Sequence, residues 1–313
     1  MRLPAAIALL RGPTALEEMP RLRDALGGGP RLFVKRDDAI PFGFGGNKVR
    51  KLQFVAAEAV ARGADTLVTV GGIQSNHARA TAAVAARLGL RCLIIANGTK
   101  PARATANALL DELLGAVVEY IPSRAEREAA RAAAMERLTR EGRRPYWVPL
   151  GASTPLGALG FVQGISELIE QGLKPDVIIH AASSCGTQAG LVAGCALQGL
   201  GTQVIGVSAD DPGPALSARV REIVSGIGKL VGENLGAPGY MVTDEYVGEG
   251  YGIPTDASRE AQRLAARTEA LFVDHTYTAK ALGALIKWVR AGRWSAEQTI
   301  LFWHTGGQVG LFA

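Results

Sequence analysis

The chain reads as an α/β protein built on mainly parallel sheets flanked by helices. Three observations predict this class. Short runs rich in Val, Ile and Leu alternate with Ala-rich or amphipathic runs along the whole sequence. Several apolar runs are continuous, as in strands buried on both faces. Some end in glycine, hydroxyl and amide residues just before a helix start, where open parallel sheets bind ligands.

The elements follow in order. RLFVKRDD (31–38) reads as a strand, a glycine-rich turn follows at 43–46, and a helix runs over 48–62. TLVTVG (66–71) is a buried strand with an Ala-rich helix after Ser75. RCLIIANG (91–98) and AVVEYI (116–121) are strands around a helix at 105–114. Residues 124–141 form a long helix in which Arg alternates with Glu and Ala, the pattern of a solvated face. PYWVPLGAS (145–153) leads to a helix at 157–171. DVIIHAA (176–182) precedes a helix at 188–199, and QVIGVSAD (203–210) repeats the strand signal. Helices at 258–269 and 279–291 and a strand and loop at 299–307 complete the pattern.

Of the 313 residues, 48% are hydrophobic, enough for one large or two moderate domains. With no repeat and no low-complexity linker, the chain itself must cross between two α/β layers. The net charge is a modest +5, with arginines scattered over helical faces. That excludes a nucleic-acid or membrane-surface patch as the main feature and suits small anionic ligands. No apolar run reaches membrane-spanning length, and no signal-peptide pattern is read at the start. Cys92, Cys185 and Cys195 make neither a disulfide framework nor a metal-ligand spacing, so a reducing, cytoplasmic setting without a metal is expected.

Three loops carry the chemistry. In GFGGNKVRKL (43–52), turn residues place Lys48 at a helix start. The lysine is either an ordinary helix-face charge or an amine that forms a Schiff base, with Arg50 and Lys51 near enough to lower its pKa. In VTVGGIQSNHARATAA (68–83), Gln74, Ser75, Asn76 and His77 follow a buried strand. One cap residue would suffice for the helix, so four polar side chains favour a site. In HAASSCGTQAGLVAG (180–194), helix N-terminal amides and the hydroxyls of Ser183, Ser184 and Thr187 suit a phosphate. This is neither a dinucleotide fingerprint nor a Walker loop. A Schiff-base lysine beside a phosphate loop points to pyridoxal 5'-phosphate (PLP).

With VKRDD, LGASTPLGALGFV, EGYGIP, TEALFVDHTYTAKAL and LFWHTGG, these blocks stand in the order found in one family. The chain resembles the D-cysteine desulfhydrase and aminocyclopropane-carboxylate (ACC) deaminase family of fold-type II PLP enzymes, along most of its length. The resemblance implies two open twisted sheets. The large cofactor domain is formed by 1–49 and 163–313, and 50–162 form a smaller inserted domain. It also implies a homodimer.

By the same resemblance, Lys48 carries PLP, Asn76 meets the cofactor phenolate oxygen, and Ser75 serves the substrate carboxylate or a proton transfer. Ser183, Ser184, Cys185, Gly186 and Thr187 cradle the phosphate, with Cys185 standing where glycine is commoner. Thr305 faces the pyridine nitrogen. A hydroxyl there leaves the ring a weaker electron sink, which suits prompt expulsion of a β-substituent. Tyr251 and Tyr277 face the cofactor near the substrate, with His77 close by. Thr278 stands where ACC deaminases have glutamate, which argues against ring opening, and His275 is an unusual polar neighbour. His180 and His304 read as structural.

The expected activity is β-elimination from a small amino acid, most of all D-cysteine, giving a 2-oxo acid, ammonia and sulfide. Its neighbours are cysteate sulfo-lyase and a dehydratase of β-hydroxy amino acids. A non-catalytic nucleotide-binding protein stands as the alternative of another class, and a PLP synthase as a third possibility.

Overall fold

The computed structural model describes residues 3–236 and 239–313. In chain order the elements begin β1 (Leu16–Glu18), α1 (Pro20–Ala25), β2 (Arg31–Arg36), α2 (Asn47–Ala61), β3 (Thr66–Gly72), α3 (Asn76–Leu88), β4 (Arg91–Asn97), α4 (Ala106–Leu113), β5 (Val117–Ile121), α5 (Arg127–Arg140) and β6 (Pro145–Val148). They continue with α6 (Pro155–Glu170), β7 (Val177–Ala182), α7 (Gly186–Leu197), β8 (Gln203–Ser208), α8 (Gly213–Val231), β9 (Tyr240–Thr243), α9 (Asp256–Glu269), α10 (Thr278–Arg290) and β10 (Thr299–His304).

Two sheets result. The larger has the order β1-β2-β10-β7-β8-β9 and is parallel except for β1. The smaller, β5-β4-β3-β6, is wholly parallel. Their central strands are buried along their length, as the apolar runs predict: every residue of β7 is buried. Each sheet has a core on both faces. The sequence leaves 213–231 unassigned, where turn chemistry at 210–214 masks α8. Yet Leu216, Val220, Ile223, Val224 and Ile227 repeat at helical spacing and are buried. β1, α1 and β9 are too short to announce themselves.

The limits expected at 50 and 163 fall inside α2 and α6, which pack against each other where the sheets meet. Their backbones touch: a Cβ on Gly160 would lie 2.2 Å from the Arg50 carbonyl oxygen, and one on Gly190 of α7 would lie 2.2 Å from that of Ala158.

Beneath this junction lies a buried ion network. Arg50 pairs with Asp37 at 2.8 Å and with Glu167 at 2.9 Å, while Lys35 pairs with Glu167 at 2.5 Å. Trp303 Nε1 donates to Asp37 at 2.8 Å. Two cations and two carboxylates balance. Burial alone would raise Glu167, but hydrogen bonds and charge from Arg50, then Lys35, hold it at about 2.

Arg50→Met would leave Asp37 buried without its cation. Removing one partner of a buried pair costs about 3–5 kcal/mol, which the denaturant midpoint should register. The Glu167 contribution is complete above its ordinary pKa of 4.5 and is lost as pH falls towards about 2. The wild type should therefore lose more stability over that window than Arg50→Met. An unchanged midpoint would contradict the role given to the network.

Candidate active site

Both sheets direct strand ends into one cleft of about 530 Å³. It is reached by the ends of β3, β4, β7 and β10 and by the N-termini of α2, α3 and α7. Lys48, Ser75, Asn76, His77, Ser183, Ser184, Cys185, Thr187, Tyr251, Tyr277 and Thr305 line it. Gly186 lies in the same loop. His275 and Thr278 do not line the cleft.

Lys48 is placed by a backbone crossing. Gly45 and Gly46 have φ of 66° and 97°, a region L side chains rarely adopt. A Cβ on Gly306 would lie 2.7 Å from Gly46 Cα, so the loop after β10 presses against the turn before α2. The Asn47 amide donates to the Thr305 carbonyl at 3.0 Å. The half-buried Lys48 amine donates to Asn47 Oδ1 at 2.9 Å. Burial first, then the charge of Arg79, lowers its pKa to about 8, against a smaller opposite pull from Asp274. Arg79, absent from the sequence expectation, is therefore the cation acting on Lys48. It is itself held by the carbonyls of Gly43 and Gly45 and by Asn107. Arg50 is turned away into the ion network.

Lys51 lies one helical turn beyond Lys48 and is fully buried. Its only hydrogen-bond partner within the described residues is Ser153 Oγ, at 3.2 Å. Burial, and then Lys48, pushes its pKa well below the lysine range. Ser153 also accepts the Gly186 amide at 3.1 Å and donates to Ser184 Oγ at 2.8 Å, which ties Lys51 to the loop at the start of α7. The shared helix face of positions 48 and 51 is the one sequence signal for Lys51.

Cys185 takes the left-handed conformation, φ 68°, that glycine would favour there. The turn is kept at a cost of about 1–2 kcal/mol. Its thiol is buried toward the Leu216 carbonyl at 3.4 Å, and burial raises its pKa to about 11. It is no nucleophile. Thr187 Oγ1 accepts from Asn47 Nδ2 at 2.9 Å and keeps its own proton to donate.

Ser75 caps α3, accepting the Ala78 amide at 3.2 Å. Asn76 Oδ1 accepts from Asn107 at 2.9 Å, which leaves its amide nitrogen as a donor. His77 is fixed by a chain of bonds. Thr69 donates to the Val148 carbonyl at 2.9 Å, so it accepts from His77 Nε2 at 2.7 Å. Among the described residues His77 Nδ1 is left as a buried acceptor without a partner. Burial and the charges of Lys48 and Lys51 keep this ring neutral. His180, expected to be structural, also lines the cleft. Its Nδ1 bonds the Ala181 carbonyl at 2.9 Å, and its Nε2 is buried without a partner among the described residues. His304 spends both nitrogens on the backbone, on Phe272 and Gly306.

On the opposite wall Tyr251 and Tyr277 share a short hydroxyl–hydroxyl bond, their rings edge to face at 5.7 Å. Burial raises both pKa values, Tyr277 well above the ordinary phenol value. The buried Lys280 amine donates to the carbonyls of Val247 at 2.7 Å and Gly250 at 2.9 Å, holding the Tyr251 loop. Asp274 caps α10, accepting the amides of Thr276, Tyr277 and Thr278 and the Thr278 hydroxyl at 2.7 Å. Thr278 is thereby turned inward, and no cleft role falls to it or to half-buried His275.

The site thus combines a partly desolvated amine, a helix N-terminus with hydroxyls and a buried lysine, and unpaired polar nitrogens. That donor set fits a phosphorylated aldehyde. The comparisons name the class. A family model described as pyridoxal-phosphate dependent enzyme matches residues 7–306. This chain belongs to that family of PLP-dependent enzymes. It is 31% identical to an ACC deaminase homologue of known crystal structure, over 99% of this chain and 94% of that one, with a TM-score of 0.91. A fungal L-serine ammonia-lyase from Rhizomucor miehei (18% identity, 96% and 94% of the two chains, TM-score 0.67) shares the fold. So does O-ureido-L-serine synthase (17%, 99% and 94%, 0.71).

Because Arg79 presses on Lys48 with a like charge, Arg79→Gln should raise the Lys48 pKa from about 8 toward the ordinary lysine value of 10.5. The pH profile of acylation of this amine in the cofactor-free protein reads that shift. A profile unmoved by the substitution would remove Arg79 from the account.

Proposed function

We propose that the chain is a lyase of the D-cysteine desulfhydrase type that eliminates a β-substituent from a small amino acid. With D-cysteine and water the products are pyruvate, hydrogen sulfide and ammonia. The observation that carries this reading is one cleft joining an amine of lowered pKa, a phosphate-type loop and a tyrosine pair. The four-stranded sheet forms the core of the smaller domain in this reading, with the cleft between the two.

When bound, PLP supplies an electron sink for the pair left on Cα after proton loss. Lys48 would hold the cofactor aldehyde, and its amine, lowered to about 8, would serve as the base for the Cα proton. The α7 N-terminus, Ser184 and Thr187 would hold the phosphate, with the buried Lys51 amine fixing Ser153 behind them. Asn76 would offer its free amide to the cofactor's ring oxygen, and Thr305 would meet the ring nitrogen without a charge. The first amides of α3, which have no partner within their own helix, receive the substrate carboxylate beside Ser75. Tyr277, bonded to Tyr251, is protonated at neutral pH and placed to donate a proton to the departing group. Thr278 brings no carboxylate to the cleft, which supports elimination over ring opening.

A panel of D- and L-cysteine, cysteate, serine, threonine and phenylserine, scored for 2-oxo acid, tests the reading. D-Cysteine should give pyruvate, sulfide and ammonia in equal amounts. Tyr277→Phe should slow that release by about 10²–10⁴-fold, the range for loss of a positioned proton donor. A product that forms only when a second nucleophile is added would point instead to a synthase.

A further inference from the structure

Asn107, the second residue of α4, is fully buried and does not line the cleft. It nonetheless bonds three parts of the site. Its Oδ1 accepts from Arg79 Nε at 3.1 Å. Its Nδ2 donates to the Gln74 carbonyl at 3.0 Å and to Asn76 Oδ1 at 2.9 Å. Its backbone amide donates to Gln74 Oε1 at 2.9 Å. The residue before it, Ala106, has φ 46°. That left-handed conformation costs an alanine about 1–2 kcal/mol. Such strain persists where the surrounding contacts over-determine it, and it gathers at functional sites.

The direction of the Asn107 amide follows from its neighbours. A guanidinium nitrogen only donates, and a backbone carbonyl only accepts. Arg79 therefore draws Oδ1 to its side, and the Gln74 carbonyl draws Nδ2 to the other. The second hydrogen on Nδ2 needs an acceptor, so Asn76 turns its oxygen to Asn107. The Asn76 nitrogen is left for the cleft, which Asn76 lines. Neutrality matters too. Among the described residues no carboxylate lies within ion-pair distance of Arg79, and buried Asp111, one turn further along α4, acts on it only from beyond that distance. An amide at position 107 takes the hydrogen bond without cancelling the charge that Arg79 turns on Lys48.

We propose that Asn107 is a positioning residue: it passes the donor of Arg79 on to Asn76, and so decides that Asn76 shows the cofactor's ring oxygen a hydrogen and not a lone pair. This role rests on the elimination reading, in which Asn76 meets that oxygen, and adds the residue that orients it. Aspartate has the shape of asparagine but accepts at both oxygens. In Asn107→Asp the carboxylate still serves Arg79, but it has no hydrogen for Asn76. Asn76 then turns its nitrogen back toward position 107 and presents an oxygen to the cofactor's oxygen.

The test is a double-mutant cycle on the binding of PLP, titrated by absorbance without any turnover. With Asn76 present, Asn107→Asp should weaken binding about 10–100-fold, as expected for a lost hydrogen bond to a charged group. In an Asn76→Ala background the same substitution should cost about tenfold less, because only its effect through Arg79 and Lys48 remains. Losses equal within about twofold in the two backgrounds are what a merely structural asparagine gives. They would overturn the proposal and leave the elimination reading standing. If Asn76→Ala alone bound PLP as tightly as the wild type, the part given to Asn76 in that reading would fall, and the proposal with it. Should Asn107→Asp fail to fold, Asn107→Ala goes through the same cycle. It releases the Asn76 amide to turn, so its loss should be clear with Asn76 present and vanish in Asn76→Ala. Equal losses there would again overturn the proposal.

Discussion

Arg50 and Lys48 sit two residues apart in the first turns of α2, and the buried pairing of one fixes the direction of the other. Asp37, Glu167 and Trp303 take Arg50 from the side of the six-stranded sheet. Because α2 advances about 100° per residue, Lys48 lies about 200° round the helix from Arg50, so anchoring Arg50 there turns Lys48 into the cleft. Buried pairs are poor sources of net stability but are intolerant of a missing partner. The network therefore acts as a register pin for the helix that carries the reactive amine. The close approach of Gly306 to Gly46 sets the same helix start from the other side.

The remaining site follows from topology. Parallel strands place their C-terminal ends on one edge, and the helix after each strand begins there. The ends of β3 and β7 meet α2 across the gap between the sheets, so three helix N-termini converge on one volume. Their unpaired amides and dipoles favour a ligand with more than one anionic group. Lys51 adds a buried amine whose hydrogen-bond partner within the described residues is Ser153.

Most of this frame was legible in the sequence. Apolar strands ending in glycine and polar residues marked the three loops, because backbone approach and helix capping demand particular residue types locally. Lys48 stood out for that reason, and Cys185 adopts the glycine-like turn its position requires. What the sequence hid was tertiary. Arg79 reaches Lys48 from another helix, and Ser153 joins Lys51 to a loop about thirty residues away in sequence. The arginines of 124–141 read as a solvated face, which holds for much of α5, but its first turn bends into the cleft. His180 looked structural because periodicity cannot tell a core imidazole from one aimed at a strand end. Thr278 and His275 looked like site residues because they flank Tyr277. The cap formed by Asp274, invisible in sequence, turns Thr278 inward.

The central claim is that the amine of Lys48, and not its buried neighbour three residues on, carries the cofactor. Borohydride reduction of the PLP-loaded protein, followed by digestion and mass mapping, separates the two. The account predicts a single phosphopyridoxyl mass increment on Lys48. The same increment on Lys51, or on no lysine of this segment, would contradict it.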